Sequence, residues 1–179
     1  MVLNTMKLIK ARKEDLPLIV EIIKDAQDLL ASQNIDQWQN GYPTKSILLG
    51  DIQNMESYLL TDAKGFPVAT AMFSIKGEPT YSKIDGNWIT TEQMQYGVIH
   101  RMAVSKSYRR KGIAKFIFNA FETMLAKSNI KSMRVDTHEE NYSMQKLLKA
   151  SEYSYCGVIY LMNGDKRLAY EKLIQKLNE

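Results

Sequence analysis

The chain has 179 residues, 45% of them hydrophobic and 25% charged with a net charge of +4, which suits one packed domain over 1–179 and is too short for two comfortable ones. No apolar run approaches the roughly 20 residues of a membrane span and the N-terminus lacks the apolar block of a secretion signal, so a soluble, cytoplasmic protein with no membrane partner is expected. The single cysteine, Cys156, and only two histidines argue against an internal disulfide and a closed zinc site, and no metal is expected.

Met6 to Ala11 reads as a short first strand. Glu14 and Asp15 then precede Ile19, Val20, Ile22, Ile23, Ala26, Leu29 and Leu30, a spacing of three and four that predicts an amphipathic helix ending near Gln33 with its acids at the positive end of the dipole. Asn34 to Pro43 is a loop carrying Trp38 and Tyr42, and Thr44 caps a second helix to about Met55. Ser57 to Thr61 and Phe66 to Ile75 form a hairpin across the turn that ends in Gly65. Lys76 to Gln95, broken by Gly77, Pro79 and Gly86, is long for a plain connection and is expected to cover something or to be mobile.

The fourth strand, about Tyr96 to Val104, sets Tyr96, Val98, His100, Met102 and Val104 on one face and Gly97, Ile99, Arg101 and Ala103 on the other. A polar loop leads through Gly112 into a helix with the stripe Ile113, Phe116, Ile117, Ala120, Phe121, Met124 and Leu125, and Lys131 to Thr137 is the next strand. Strand, helix and strand at these lengths predict a right-handed parallel crossover. Asn141 opens a short helix with Met144, Leu147 and Leu148 inward, and Glu152 to Leu161 pairs with Arg167 to Leu173 around Asn163-Gly164. No internal repeat or low-complexity segment interrupts the order.

Arg101 to Lys115 holds six Lys or Arg residues and no Asp or Glu, more positive charge than the net +4 of the whole chain. A strand that feeds a helix through a basic, glycine-containing turn suits an anion, because the first N–H groups of a helix lack intrahelical partners and carry the positive end of its dipole. The competing reading is a solvated basic turn. It has the weaker claim, since strand, turn, glycine and helix stand in the order anion binding requires. Aromatic residues are not interleaved with these cations, so nucleic acid is not an expected partner.

Arg109-x-x-Gly112-x-Ala114, set between an apolar strand and an amphipathic helix, resembles the Gln/Arg-x-x-Gly-x-Gly/Ala signature of the GCN5-related N-acetyltransferases, the GNAT superfamily. The order of elements is similar over essentially the whole chain. The resemblance implies an α/β fold: a mixed, mostly antiparallel central sheet of about seven strands, with a parallel crossover from the fourth strand through the third helix to the fifth, splayed between those two strands and flanked by about four helices. It implies acetyl-CoA as co-substrate, with Arg109, Arg110, Lys111, Gly112, Ile113 and Ala114 around the pyrophosphate, mobile charge on the three cations, and Met102, Ala103 and Val104 along the pantetheine arm. Asn141 is implied to touch the cofactor, and the same residue would also cap its helix.

The implied reaction is direct transfer of acetyl to a primary amine of a small molecule or peptide in a ternary complex, with the main-chain N–H of Met102 or Val104 as oxyanion donor. Trp38 and Tyr42 lie where the family shapes its acceptor pocket, and for Trp38 the competing reading is an anchor in the core. His100 is the candidate base, because imidazole titrates near neutrality, and a core histidine bonded to backbone is its alternative. The family's acid is a tyrosine in the pattern Asn-x-x-small-x-x-x-Tyr. Here Asn141 and Met144 fit and Leu148 occupies the tyrosine position, which leaves Tyr142, Tyr155 or solvent to donate the proton. The Gly-Phe that follows in the family is Glu152-Tyr153. A non-catalytic sensor that holds coenzyme A without turnover is the alternative function. Cys156 is read as structural. The sequence admits a homodimer, dimers being the commonest assembly of soluble proteins.

Overall fold

The computed structural model describes residues 3–91 and 93–176. The chain divides into two compact units, Met1–Phe73 with Arg101–Phe118, and Ser74–His100 with Asn119–Glu179.

In the first unit, β1 (Lys7–Lys10) is followed by α1 (Leu16–Ser32), α2 (Lys45–Gln53), β2 (Ser57–Thr61) and β3 (Pro67–Ser74). Pro17 stands at the start of α1, where a missing N–H costs nothing, and the Thr44 side chain accepts from the Ile47 N–H to cap α2 as expected. β1 pairs antiparallel with β2 and β2 with β3, with a register shift at Leu60/Thr61. The inward stripe of α1, Ile19, Ile22 and Ile23, packs with Leu48 and Ile52 of α2, Leu59 and Ala103 into one buried cluster. Each such side chain contributes on the order of 2 kcal/mol relative to exposure.

The second unit begins with the segment 76–96, of which Glu92 lies outside the described residues. It is not a bare loop. It holds a 3-10 turn, Pro79–Ser82, and a two-residue strand, β4 (Asp85–Gly86). The chain continues through β5 (Gly97–Val104) and α3 (Ile113–Lys127), which both cross into the other unit, and then β6 (Ser132–Thr137), α4 (Tyr142–Ala150), β7 (Ser154–Tyr160) and β8 (Lys166–Leu173). β5 runs parallel to β6 with Gly97 opposite Met133 and Val98 opposite Arg134. β6 and β7 each pair antiparallel with β8, whose turn from β7 is closed by the Leu161 N–H on the Asp165 carbonyl. Tyr81, Val98, Ile159 and Ala169 form the buried centre, with Trp88 and Tyr96 packed against it.

The sheet has eight strands in the order β1-β2-β3-β5-β6-β8-β7-β4, one more than the seven expected. The extra strand is β4, which pairs Asp85 with Val158 and Gly86 with Gly157. Gly86 and Gly157 have φ of 140° and 141°, and a Cβ on Gly86 would lie 2.1 Å from the Cys156 carbonyl oxygen. The close approach therefore needs glycine on both chains. Among the described residues, no helix is long and apolar enough to cross a membrane.

Candidate functional site

The basic turn of the first unit is built from β5 outward. Ser105 donates its N–H to the Val68 carbonyl, a 3-10 turn spans Lys106–Tyr108, and α3 starts at Ile113. Arg110 takes φ 60° and Gly112 φ 76°, so the chain enters the helix through a left-handed bend that glycine adopts without strain. The Phe116 N–H donates to the Gly112 carbonyl, which leaves the N–H groups of Ile113, Ala114 and Lys115 with no acceptor in the helix. Among the described residues, a Cβ placed on Gly112 would meet only the Leu3 Cδ1, at 3.6 Å, an ordinary van der Waals contact.

The three cations differ from their expected role as mobile charge. Arg109 is tied to backbone, donating through Nε to the Val104 carbonyl at 3.4 Å and through Nη2 to the Asp25 carbonyl. Lys111 donates to the Ser107 carbonyl at 2.7 Å and lies 5.0 Å over the Tyr108 ring. Asp25 also accepts from the Lys106 N–H at 2.9 Å, so Arg109 and Asp25 fix the turn to α1. Arg109 is half-buried, and Arg110 and Lys111 are both exposed.

Between this turn and the start of β5, Arg101 interrupts the strand with φ 50°, and its side chain donates to both carboxylate oxygens of Asp51, each at 2.7 Å, and to the Tyr42 hydroxyl oxygen at 2.7 Å. A non-glycine residue in that conformation costs about 1 kcal/mol. The bidentate ion pair holds it there. Tyr42 and Trp38 are brought together by Gln27, whose Nε2 donates to the carbonyls of Tyr42 at 3.0 Å and Trp38 at 3.5 Å. Trp38 packs against the core cluster of this unit, which matches the anchor reading. Met102 and Val104 are half-buried and Ala103 is buried on the strand beyond Arg101.

His100 belongs to the second unit, in a polar cluster. Its Nε2 lies 2.9 Å from Glu78 Oε2 and its Nδ1 lies 3.7 Å from Asp136 Oδ1, with side-chain exposures of 18%, 22% and 10% for His100, Glu78 and Asp136. Tyr81 donates its hydroxyl to Asp136 Oδ1 at 2.7 Å and packs edge-on to the His100 ring. Burial, the largest influence on Glu78, raises its pKa, yet the hydrogen bonds from His100 and from the Thr80 N–H and hydroxyl outweigh it and bring the carboxyl down to about 2. Burial first, then Asp136, push the Tyr81 hydroxyl well above its usual value, so it remains a donor.

Asn141, Tyr142 and Leu148 lie on α4 of the same unit. The Asn141 side chain accepts from the Met144 N–H at 3.1 Å, the cap expected of it. Tyr142 is 65% exposed and Leu148 is fully buried, so the helix face that the family gives to its tyrosine is core here. Tyr155 is also exposed and packs edge-on against Tyr170. Burial raises the thiol of Cys156 to about 11, and it stays protonated. A cavity of about 680 Å³ between the end of α3 and the end of β8, lined in part by Glu122, Glu152 and Lys172, includes none of the catalytic, cofactor-binding or acceptor residues expected from sequence. No cluster of His, Cys, Asp or Glu among the described residues is placed to hold a metal.

Sequence reasoning missed Glu78, Asp136, Tyr81 and Asp51. Asp51 left a signal: it stands between Leu48 and Ile52 on the buried stripe of α2, where an acid needs a buried partner. Asp136 left a weaker one, alternating with Arg134 on an otherwise inward strand. Glu78 left none.

A model of the acetyltransferase (GNAT) family matches residues 23–153. Among solved structures, a GNAT-family acetyltransferase from Streptococcus agalactiae is 30% identical with a TM-score of 0.86, covering 96% of each chain. One from Listeria monocytogenes is 16% identical with a TM-score of 0.74 over 94% of each chain. The PaiA N-acetyltransferase of Thermoplasma acidophilum, solved in complex with coenzyme A, is 16% identical with a TM-score of 0.66, covering 94% of this chain and 98% of its own, a likeness of fold alone. No curated protein matches the sequence.

Proposed function

Because the chain belongs to the acetyltransferase (GNAT) family, a family of acetyl-CoA-dependent N-acetyltransferases, we propose that residues 1–179 act as a single domain that acetylates the primary amine of a small molecule or peptide by direct attack in a ternary complex. The observation that carries this reading is the start of α3, where a left-handed glycine turn opens onto N–H groups that no helical carbonyl accepts. Those groups fit a diphosphate, and so does the room that the described residues leave at Gly112. The N–H groups of Gly112, Ile113 and Ala114 hold the anion, Arg110 adds charge, and Arg109 and Lys111 act by fixing the turn. Acetyl-CoA, when bound, supplies a thioester whose acyl carbon forms the new amide bond as the thiol departs.

Beyond the turn, the strand residues Met102, Ala103 and Val104 offer main-chain groups to the pantetheine arm, and the N–H of Met102 or Val104 donates to the carbonyl oxygen as charge develops on it. Donors fixed on a strand need no reorganisation at that moment. Tyr42, held by Arg101, and Trp38 line the acceptor side. His100 takes the proton that the amine must lose, since an ordinary alkylammonium with a pKa of about 10 is not nucleophilic. Asn141 and the exposed Tyr142 complete the cofactor side, with Tyr142 as proton donor to the thiolate. A cytoplasmic setting belongs to the same reading, since Cys156 is a free thiol.

Calorimetric titration with coenzyme A tests the proposal: saturable binding is expected, and none at millimolar ligand removes it. The buried Leu148 favours one second reading, a member that holds coenzyme A without turnover. An amine panel with thiol detection separates the two, because a sensor binds and releases no thiol.

A further inference from the structure

The carboxylate that faces His100 comes from a segment whose shape is set by other contacts. The Glu78 N–H donates to the Tyr96 hydroxyl oxygen at 3.2 Å, and Glu78 Oε1 accepts from the Thr80 N–H at 3.1 Å and from its hydroxyl at 2.9 Å. The Tyr96 ring stacks on Tyr81, and the guanidinium of the buried Arg134 lies 4.0 Å from the Tyr96 ring and 4.3 Å from that of Trp88. Glu78 Oε2 therefore arrives at His100 on a carboxylate that has little freedom to turn away.

This geometry decides a question that the position of a histidine alone leaves open, namely which ring nitrogen carries the hydrogen. A carboxylate has only lone pairs to offer, so a nitrogen 2.9 Å away must present N–H to it. That nitrogen is Nε2. At 3.7 Å from Asp136 Oδ1, Nδ1 is beyond hydrogen-bond distance, and the same oxygen already accepts from Tyr81.

We propose that Glu78 is the positioning residue of His100: it takes the Nε2 hydrogen and leaves Nδ1, beside Asp136, as the ring atom that accepts the proton from the amine. The depression of the Glu78 carboxyl to about 2 supports this, since the group stays charged over the working range. The charged and titratable groups that face the ring are Glu78 from the segment before β5, Asp136 from β6 and Tyr81 from the 3-10 turn. When the proton moves from the ammonium nitrogen to Nδ1, Asp136 stands next to the new charge and Tyr81 keeps that carboxylate oriented. The inference rests on the reading of His100 as the base.

The chain has two histidines, so the imidazole nitrogens of uniformly ¹⁵N-labelled protein are resolvable by long-range ¹H–¹⁵N correlation, with His138→Gln assigning the other ring. In the wild type, the neutral form of His100 is expected to carry its hydrogen on Nε2. Glu78→Gln, which can donate as well as accept, is expected to weaken that preference and to lower kcat at least about tenfold while leaving KM for acetyl-CoA within about twofold. A neutral His100 with its hydrogen on Nδ1 overturns the proposal, as does a ring still doubly protonated at about pH 9. Wild-type tautomer and kcat in Glu78→Gln also overturn it. The wild-type spectrum needs no variant to fold and no acceptor to be known. If His100→Ala turns over like the wild type, the base reading itself fails, and the tautomer measurement tells that failure apart from a failure of the Glu78 contact.

Discussion

Arg101 and Asp51 show how one buried pair can decide local geometry. Two charges at 12% and 11% side-chain exposure are stabilising only while each has the other, because removal of one leaves an uncompensated buried charge. Asp51→Ala is therefore expected to lower unfolding free energy by about 3–5 kcal/mol in urea titration. Replacing both residues, as Asp51→Leu with Arg101→Met, is expected to recover most of that loss while leaving turnover impaired, since Tyr42 then has no guanidinium to hold it. Glu78 gives a pH prediction at the same scale. Its folded pKa of about 2 lies below the ordinary glutamate value of 4.5, so the stability it contributes is present above about pH 4.5 and is lost as pH falls through about 2. The difference between wild type and Glu78→Gln in chemical denaturation is expected to be constant from pH 7 to about 5 and to shrink towards pH 2, by on the order of 3 kcal/mol. Glu171, also lowered despite burial, steepens the acid limb in the same direction.

Among the elements, the segment before β5 departs furthest from its sequence pattern. Its composition predicts either a cover or a mobile loop, and the side chains that decide between the two lie far away in sequence. Arg134, 2% exposed, donates to Glu171 at 3.2 Å and to the Thr90 carbonyl at 3.2 Å, and Glu171, fully buried, accepts from the Ile89 N–H at 2.5 Å and the Thr90 N–H at 3.2 Å. Arg134→Ala is expected to leave Glu171 without its counter-charge, to lower stability by about 3–5 kcal/mol, and to raise hydrogen exchange at Ile89 and Thr90 before it does so in α1. Where periodicity and capping governed, the sequence was sufficient: β2 ends where read, and Thr44 and Asn141 cap the helices they precede. In α3 the predicted stripe holds at Ile113, Ile117, Phe121 and Leu125, yet Phe118 is also fully buried, because cover over a wider arc is a tertiary fact that a single stripe does not encode. β4 was missed for a related reason: two residues have no period, and its pairing depends on Gly157, more than seventy positions away in the chain.

For the molecule as a whole, the shape of the basic turn was legible because its order is local: strand, basic turn, glycine and helix start follow one another within a few residues, whereas the partners of His100 come from two distant stretches, residues 78–81 and Asp136. What the turn's local order did not reveal is that Arg109 and Lys111 donate to backbone carbonyls, so in the proposed reading the grip on an anion rests chiefly on main-chain N–H groups and Arg110. In that reading Gly112, more than the charges, is the position on which coenzyme A binding turns. At coenzyme A about a hundredfold above Kd, binding adds about 2.7 kcal/mol, which in a chain of this size raises Tm by about 5–10 °C. Gly112→Ala is expected to cost about 1 kcal/mol through its φ of 76° alone, since a Cβ has room, and to retain a ligand-induced shift. Gly112→Trp carries the same backbone strain and fills the space over the helix start. Its unliganded Tm is expected to stay close to that of the alanine variant while the shift with coenzyme A disappears. A thermal scan with and without ligand reads both, and a full shift in the tryptophan variant would move the anion away from this turn.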